Sequence, residues 1–165
     1  MILRGIILAE KKTNAMRILE KEKISYKIHY YDTKDGHIDG ISVAKKMKEN
    51  PNTVFKTLVT QGHSKNYYVF VIPVEKELNL KKAAKSVNEK NVEMIKVSEI
   101  NKVTGYIRGG CSPIGMKKLY KTVFDTSAKN FGAIFVSGGK IGFQIEASPF
   151  DIAKSCSGIF ENITF

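Results

Sequence analysis

The sequence predicts an α+β fold: one mixed, strongly curled, barrel-like sheet of about six or seven strands with short flanking helices. Two observations predict it. Short strand-like alternations are interleaved irregularly with short helical patterns, so neither strict βα alternation nor an unbroken strand array is present. The 165 residues hold no internal repeat and no linker, which suits one buried core rather than two. The expectation is a single domain over residues 1–165, with residues 1–11 as an N-terminal extension of little weight in the core.

The elements follow in order. In "TNAMRILEKEK" Thr13 can cap a helix with Ala15, Ile18 and Leu19 on one face. "ISYKIHYYD" alternates as a strand. "GISVAKKMKENP" reads as a helix capped by Ser42 and stopped before Pro51. "TVFKTLVT" and "NYYVFVIPV" are two strands joined by a polar turn at Gly62 and Asn66. "LNLKKAAKSVN" is a helix opened by Asn79, with Leu80, Ala83, Ala84 and Val87 facing inward. "VEMIKV" is a short strand, and "SEINKVTG" a small helix that Gly105 can end in a left-handed cap. "LYKTVFD", "FGAIFVS" and "KIGFQIEA" are three further strands, the last two separated by the hairpin turn "SGGK". "SPFDIAKSCSG" closes the pattern as a helix with Ser148 as cap and Pro149 at its first position.

Composition narrows the chemistry. The net charge of +11 favours an anionic partner such as RNA. Only three of the 27 basic residues are arginine, however, and a genome rich in A and T gives the same lysine excess. Two cysteines, Cys111 and Cys156, make no disulfide framework, and His29, His37 and His63 form no metal-binding spacing, so no metal and no cofactor are expected. The apolar run "GIILA" is too short to span a membrane and lacks a signal-peptide cleavage pattern. A cytoplasmic protein without a membrane partner is expected.

Two places carry unusual chemistry. Lys56 sits in a strand whose two faces are both largely apolar, where an unpaired ammonium is costly to bury. Either it snorkels to the surface along its stem, or it stands in a pocket to hold a phosphate or a developing oxyanion. The second place is "TGYIRGGCSPIGMKK", residues 104–118, with four glycines and a proline. Gly109 and Gly110 let backbone N–H groups approach a ligand, and Pro113 stiffens the turn. Such a loop binds an anion or forms an oxyanion hole, or it is an ordinary irregular connection. It matches neither a nucleotide-binding glycine motif nor a serine-hydrolase elbow around Ser112. Cys111 has no histidine near it in sequence, and a small free hydrophobe is the commoner role for such a cysteine.

Taken together, "TNAMRILEKEKISYKIHYYD", "VFKTLV", "LNLKKAAK", "VEMI", "TGYIRGGCSPIGMKK" and "VSGGKIGFQIE" resemble the YbaK/EbsC family of bacterial aminoacyl-tRNA deacylases. The likeness runs from Lys12 to the C-terminus. It implies a fold of the YbaK and prolyl-tRNA-synthetase-associated type and trans-editing that removes cysteine from mischarged Cys-tRNA(Pro). It further implies a mischarged aminoacyl-tRNA 3′ end as partner, with prolyl-tRNA synthetase beside it. On this resemblance Lys56, Gly109 and Gly110 are the catalytic positions. Tyr31, Thr57, Ser112, Pro113, Ser137 and Gln144 are the substrate-binding ones. Gln144 stands where one relative has aspartate, and an amide can orient a substrate but cannot act as a base. The family mechanism uses the substrate's own thiol, which attacks its ester carbonyl and leaves as a cyclic thiolactone. Two alternatives stay open: a deacylase for Ala-tRNA(Pro) or another small mischarged residue, and a non-catalytic RNA-binding module.

Overall fold

Thr13 opens the first helix as its position suggests. Its side chain accepts a hydrogen bond from the Met16 N–H, and α1 (Asn14–Lys21) buries Ala15, Met16 and Leu19. The structure is a computed structural model that describes residues 12–165, so the extension expected at 1–11 lies outside the described residues. β1 (Lys27–Tyr30) follows, then α2 (Gly40–Met47). The cap of α2 is Asp39 and not Ser42: the Asp39 carboxylate accepts from both the Ser42 N–H and its hydroxyl. Two good capping residues lie three apart here, and the acidic one stands where the free N–H groups are.

β2 (Phe55–Gly62) and β3 (Tyr67–Pro73) form an antiparallel hairpin, and α3 (Leu80–Ser86) is opened by Asn79, which accepts from the Lys81 and Lys82 N–H groups. Leu80, expected inside, is 44% exposed, because only Ala83, Ala84 and Val87 of this short helix face the core. β4 (Val92–Met94) and α4 (Ile100–Thr104) come next, and Gly105 ends α4 at φ +84°. The last part of the chain holds β5 (Lys121–Asp125), β6 (Ile134–Ser137), β7 (Phe143–Ala147), α5 (Pro149–Ser155) and β8 (Ile159–Glu161). Pro149 is at the first position of α5, but Ser148 makes no capping hydrogen bond through its side chain. Among the described residues no helix is long and apolar enough to cross a membrane.

The single strongly curled, barrel-like sheet is not what forms. The eight strands among the described residues divide into a three-stranded antiparallel sheet, ordered β1-β7-β6, and a five-stranded mixed sheet, ordered β4-β2-β3-β5-β8. One parallel bridge, Val54 to Phe135, joins them. Joining the sheets needs a continuous ladder between β2 and β6, and closing a barrel needs the outer strands to pair as well. Beyond the bridge Lys56 and Thr57 on one strand and Ser137 on the other line a cavity, and no ladder forms between them. The eighth strand escaped prediction because it is three residues long, has no alternation of apolar residues, and sits at a sheet edge.

Register assigns the two faces of the small sheet. Ile28 pairs with Ile145, and Val136 with Ile145 from the other side. With Ile134 and Ala147 they join the main core, against Leu19, Val69, Val71 and Phe124. The alternate residues His29, Gln144 and Ser137 fall on the opposite face. There Phe135 packs with Val54, Val74 and Ala44 in a smaller apolar cluster under α2.

Candidate functional site

Side chains from both sheets meet at an open cavity of about 650 Å³ beside the Val54–Phe135 bridge. Its strand wall is Val54 and the start of β2 (Phe55, Lys56, Thr57) with Ser137 at the end of β6 and Gln144 on β7. Tyr31, directly after β1, joins them through its backbone N–H, which donates to Gly142 O at 3.1 Å. The opposite walls are loops: residues 36–41 before and into α2, and Arg108, Gly109 and Cys111 after α4.

The strand wall holds polar atoms that the fold does not use. Among the described residues three buried side-chain atoms lack a hydrogen-bond partner: Tyr31 Oη, Thr57 Oγ1 and Gln144 Oε1. All three residues line this one cavity. Leaving a buried polar group unpaired costs about 1–3 kcal/mol, so such a concentration is unusual unless a ligand completes it. Lys56 is half-buried on the same wall, and its ammonium makes no hydrogen bond or ion pair among the described residues. Two hydroxyls, an amide oxygen and a cation thus belong to residues that line one space. They can orient an ester, hold its amino group and stabilise negative charge; Gln144 cannot remove a proton.

The glycine loop is pinned from behind. Tyr106, buried, donates its hydroxyl to Ile114 O at 2.6 Å, and the Thr104 hydroxyl accepts from the Tyr106 N–H at 3.0 Å. Gly109 takes φ +84°, and a Cβ there would stand 2.6 Å from Ile38 Cδ1. At Gly110 a Cβ would come within 2.9 Å of the Ile141 backbone nitrogen, so the close approach of two chain segments requires glycine. The Gly110 N–H is spent on Ile107 O at 2.9 Å, whereas the N–H groups of Gly109 and Cys111, both beside the cavity, have no acceptor among the described residues. Ser112 and Pro113 do not reach the cavity. Ser112 is fully buried and its hydroxyl accepts from the Ile114 N–H, while Pro113 lines a separate small depression with Ile18 and Met116.

Neither cysteine is a poised nucleophile. Burial pushes the Cys111 thiol up to about 11, partly offset by its hydrogen bond to the Thr104 hydroxyl, and burial pushes Cys156 up to about 12 inside the main core. Both thiols stay protonated near neutrality, and a thiolate is the reactive form. His29, the only histidine whose ring pairs with a carboxylate among the described residues, contacts Glu146 at 2.7 Å and does not line the cavity.

Sequence reading missed two contributors. Arg108 lines the mouth without any partner among the described residues; its signal was available, as one of three arginines and inside the odd loop. The wall at residues 36–41 had no such signal, since its role arises only from the folded path of the chain.

Comparison with known proteins bears on this geometry. Residues 39–155 match the family model described as the aminoacyl-tRNA editing domain. The chain is 44% identical over 155 residues to EbsC of Enterococcus faecalis, assigned as a Cys-tRNA(Pro)/Cys-tRNA(Cys) deacylase, covering 94% of both chains. A solved structure described as a trans-editing enzyme for prolyl-tRNA synthetase superposes with a TM-score of 0.80 at 18% identity, covering 94% of this chain and 99% of that one. A second, of a hypothetical protein, reaches a TM-score of 0.84 at 17% identity, over 92% and 99% of the two chains. At these identities the two structural likenesses speak for the fold alone.

Proposed function

Because the chain belongs to the aminoacyl-tRNA editing domain family, we propose that it is a trans-editing deacylase that removes cysteine from mischarged Cys-tRNA(Pro). The observation that carries this reading is the cavity's contents: unsatisfied donors and acceptors in numbers, and no activated nucleophile. A site of that kind folds its substrate and lets the substrate react. The cysteinyl sulfur attacks its own ester carbonyl, a C–S bond forms, and the C–O bond to the terminal ribose breaks. The ribose oxygen regains a proton, and a thiolactone leaves.

Each element has a part in this scheme. Lys56 and the free N–H groups of Gly109 and Cys111 stabilise the oxyanion. Gly110 acts through the close packing that only glycine allows. Tyr31, Thr57, Ser137 and Gln144 hold the amino group and ribose, and Ser112 and Pro113 brace the loop. Arg108, at the mouth, meets the phosphate that precedes the terminal adenosine. Holding thiol and carbonyl in contact supplies several kcal/mol by effective molarity alone. Prolyl-tRNA synthetase is the partner that would present the tRNA body, and the cytoplasm the place of work.

The test is a deacylation panel with purified protein: cysteinyl-, alanyl- and seryl-tRNA(Pro), with and without prolyl-tRNA synthetase, and cysteinyl-tRNA with its thiol alkylated. Rapid loss of cysteine that alkylation abolishes is the expected result. Faster release of alanine would replace the thiol mechanism by attack of water. Salt-sensitive tRNA binding with no release of any amino acid would make the protein an RNA-binding module.

A further inference from the structure

One wall of the cavity, the segment between Tyr30 and Gly40, has no strand or helix of its own. What holds it is a side chain that does not touch the cavity. Lys46, on the last turn of α2, donates from Nζ to Asp32 O at 2.7 Å, to Asp35 Oδ1 at 2.7 Å and to His37 O at 2.8 Å. Three bonds use all three protons of the ammonium. Asp35 Oδ1 also accepts from the His37 N–H at 3.0 Å. Its carboxyl is held below the ordinary carboxylate range, chiefly by Lys46 and next by that N–H. The segment is therefore tied at its beginning, middle and end to one point on a helix. The residue directly after the last tie is Ile38, whose Cδ1 rests over Gly109, where an added Cβ would be only 2.6 Å away.

We propose that Lys46 is a positioning residue that sets the size of the acyl pocket, by fixing how far Ile38 stands from the Gly109 loop. The proposal rests on the deacylase reading above. A pocket wall displaced by the width of one methylene changes discrimination between substrates differing by one methylene by roughly 10–200-fold. The clasp thus acts on which amino acid fits, and through the geometry of Ile38 rather than through charge at the reacting atoms.

The experiment compares parent protein, Lys46→Met, Lys46→Arg and the exposed neighbour Lys45→Met. Two quantities are read for each. One is amide hydrogen exchange over residues 32–39. The other is the ratio of kcat/KM for cysteinyl- over homocysteinyl-tRNA(Pro), one methylene longer and still carrying a thiol, after subtraction of uncatalysed loss. Lys46→Met is expected to exchange at least about tenfold faster in this segment and to lose at least about tenfold of the ratio, through a lower KM for the longer substrate. Lys46→Arg should recover part of both, and Lys45→Met should match the parent. Faster exchange with an unchanged ratio, or activity lost equally on both substrates, would make Lys46 merely structural and overturn the proposal. Unchanged exchange would overturn the clasp itself. A parent protein inactive on every aminoacyl-tRNA would instead sink the deacylase reading, and the exchange data would still judge the clasp.

Discussion

The two faces of the three-stranded sheet are made by the same residues' neighbours and do opposite work. On one face Ile28, Ile134, Val136, Ile145 and Ala147 are packed into the main core with nothing polar to satisfy. On the other, one residue along each strand, Ser137 and Gln144 look into the cavity beside Tyr31, and two of these three residues keep a buried polar atom without a partner. Strand alternation alone separates the faces. The first face stabilises the fold, whereas the unpaired buried polar atoms on the second cost stability.

Four substitutions break or sharpen that division, taken from the largest effect to the smallest. Ile145→Ala on the core face should cost about 2–5 kcal/mol, as large-to-small changes in a packed core do. A lowered thermal midpoint should accompany unchanged turnover by the fraction still folded. Equal damage to turnover per folded molecule would show that the faces are not independent. Lys56→Ala, on the same strand wall of the cavity, should do the reverse: turnover reduced at least about tenfold, or 1.4 kcal/mol, with the melting temperature unchanged. A folded Lys56→Ala protein with parent activity would leave that lysine a snorkelling side chain. Gln144→Met tests that cost directly, since it removes an unsatisfied oxygen while keeping the volume. Stability should rise by about 1 kcal/mol while deacylation slows. A less stable variant would mean that Gln144 is already well placed without substrate.

The smallest effect belongs to Cys111→Ser, which should deacylate cysteinyl-tRNA at close to the parent rate; a dead enzyme would make Cys111 the nucleophile. Its signature is in stability. The partly buried thiol's folded value, about 11, lies above its ordinary value near 9. Its contribution is therefore fully present below pH 9 and is lost as pH rises toward 11. Urea unfolding across that range should show a steeper decline for the parent than for Cys111→Ser.

Much of this was legible in the residues because local rules decided it. Thr13, Asn79 and Gly105 cap their helices where short-range hydrogen bonding demands. Lys56 stood out because an ammonium is out of place in an apolar strand. The loop at 104–118 stood out because its backbone needs glycine. What was not legible depended on partners distant in sequence. Alternation tells which residues share a face of a strand, but not which strand lies alongside, so one curled sheet was expected where two meet at a single bridge. Gly110 reads as a ligand-binding glycine until its neighbour Ile141 is in view. Lys46 looks like any lysine on a polar helix face, and its three acceptors exist only once residues 32–37 have turned back over α2.

The pairing of β1 with β7 sets Lys27 opposite Glu146 and His29 opposite Gln144, contacts that span most of the chain. Contacts of such long range form late and slowly, because the loop they close must be ordered first. During synthesis Lys56 and the glycine loop emerge well before the strand that brings Gln144 beside Tyr31. A chain ending before residue 143 lacks the strand that supplies Gln144 and so carries only part of the cavity wall.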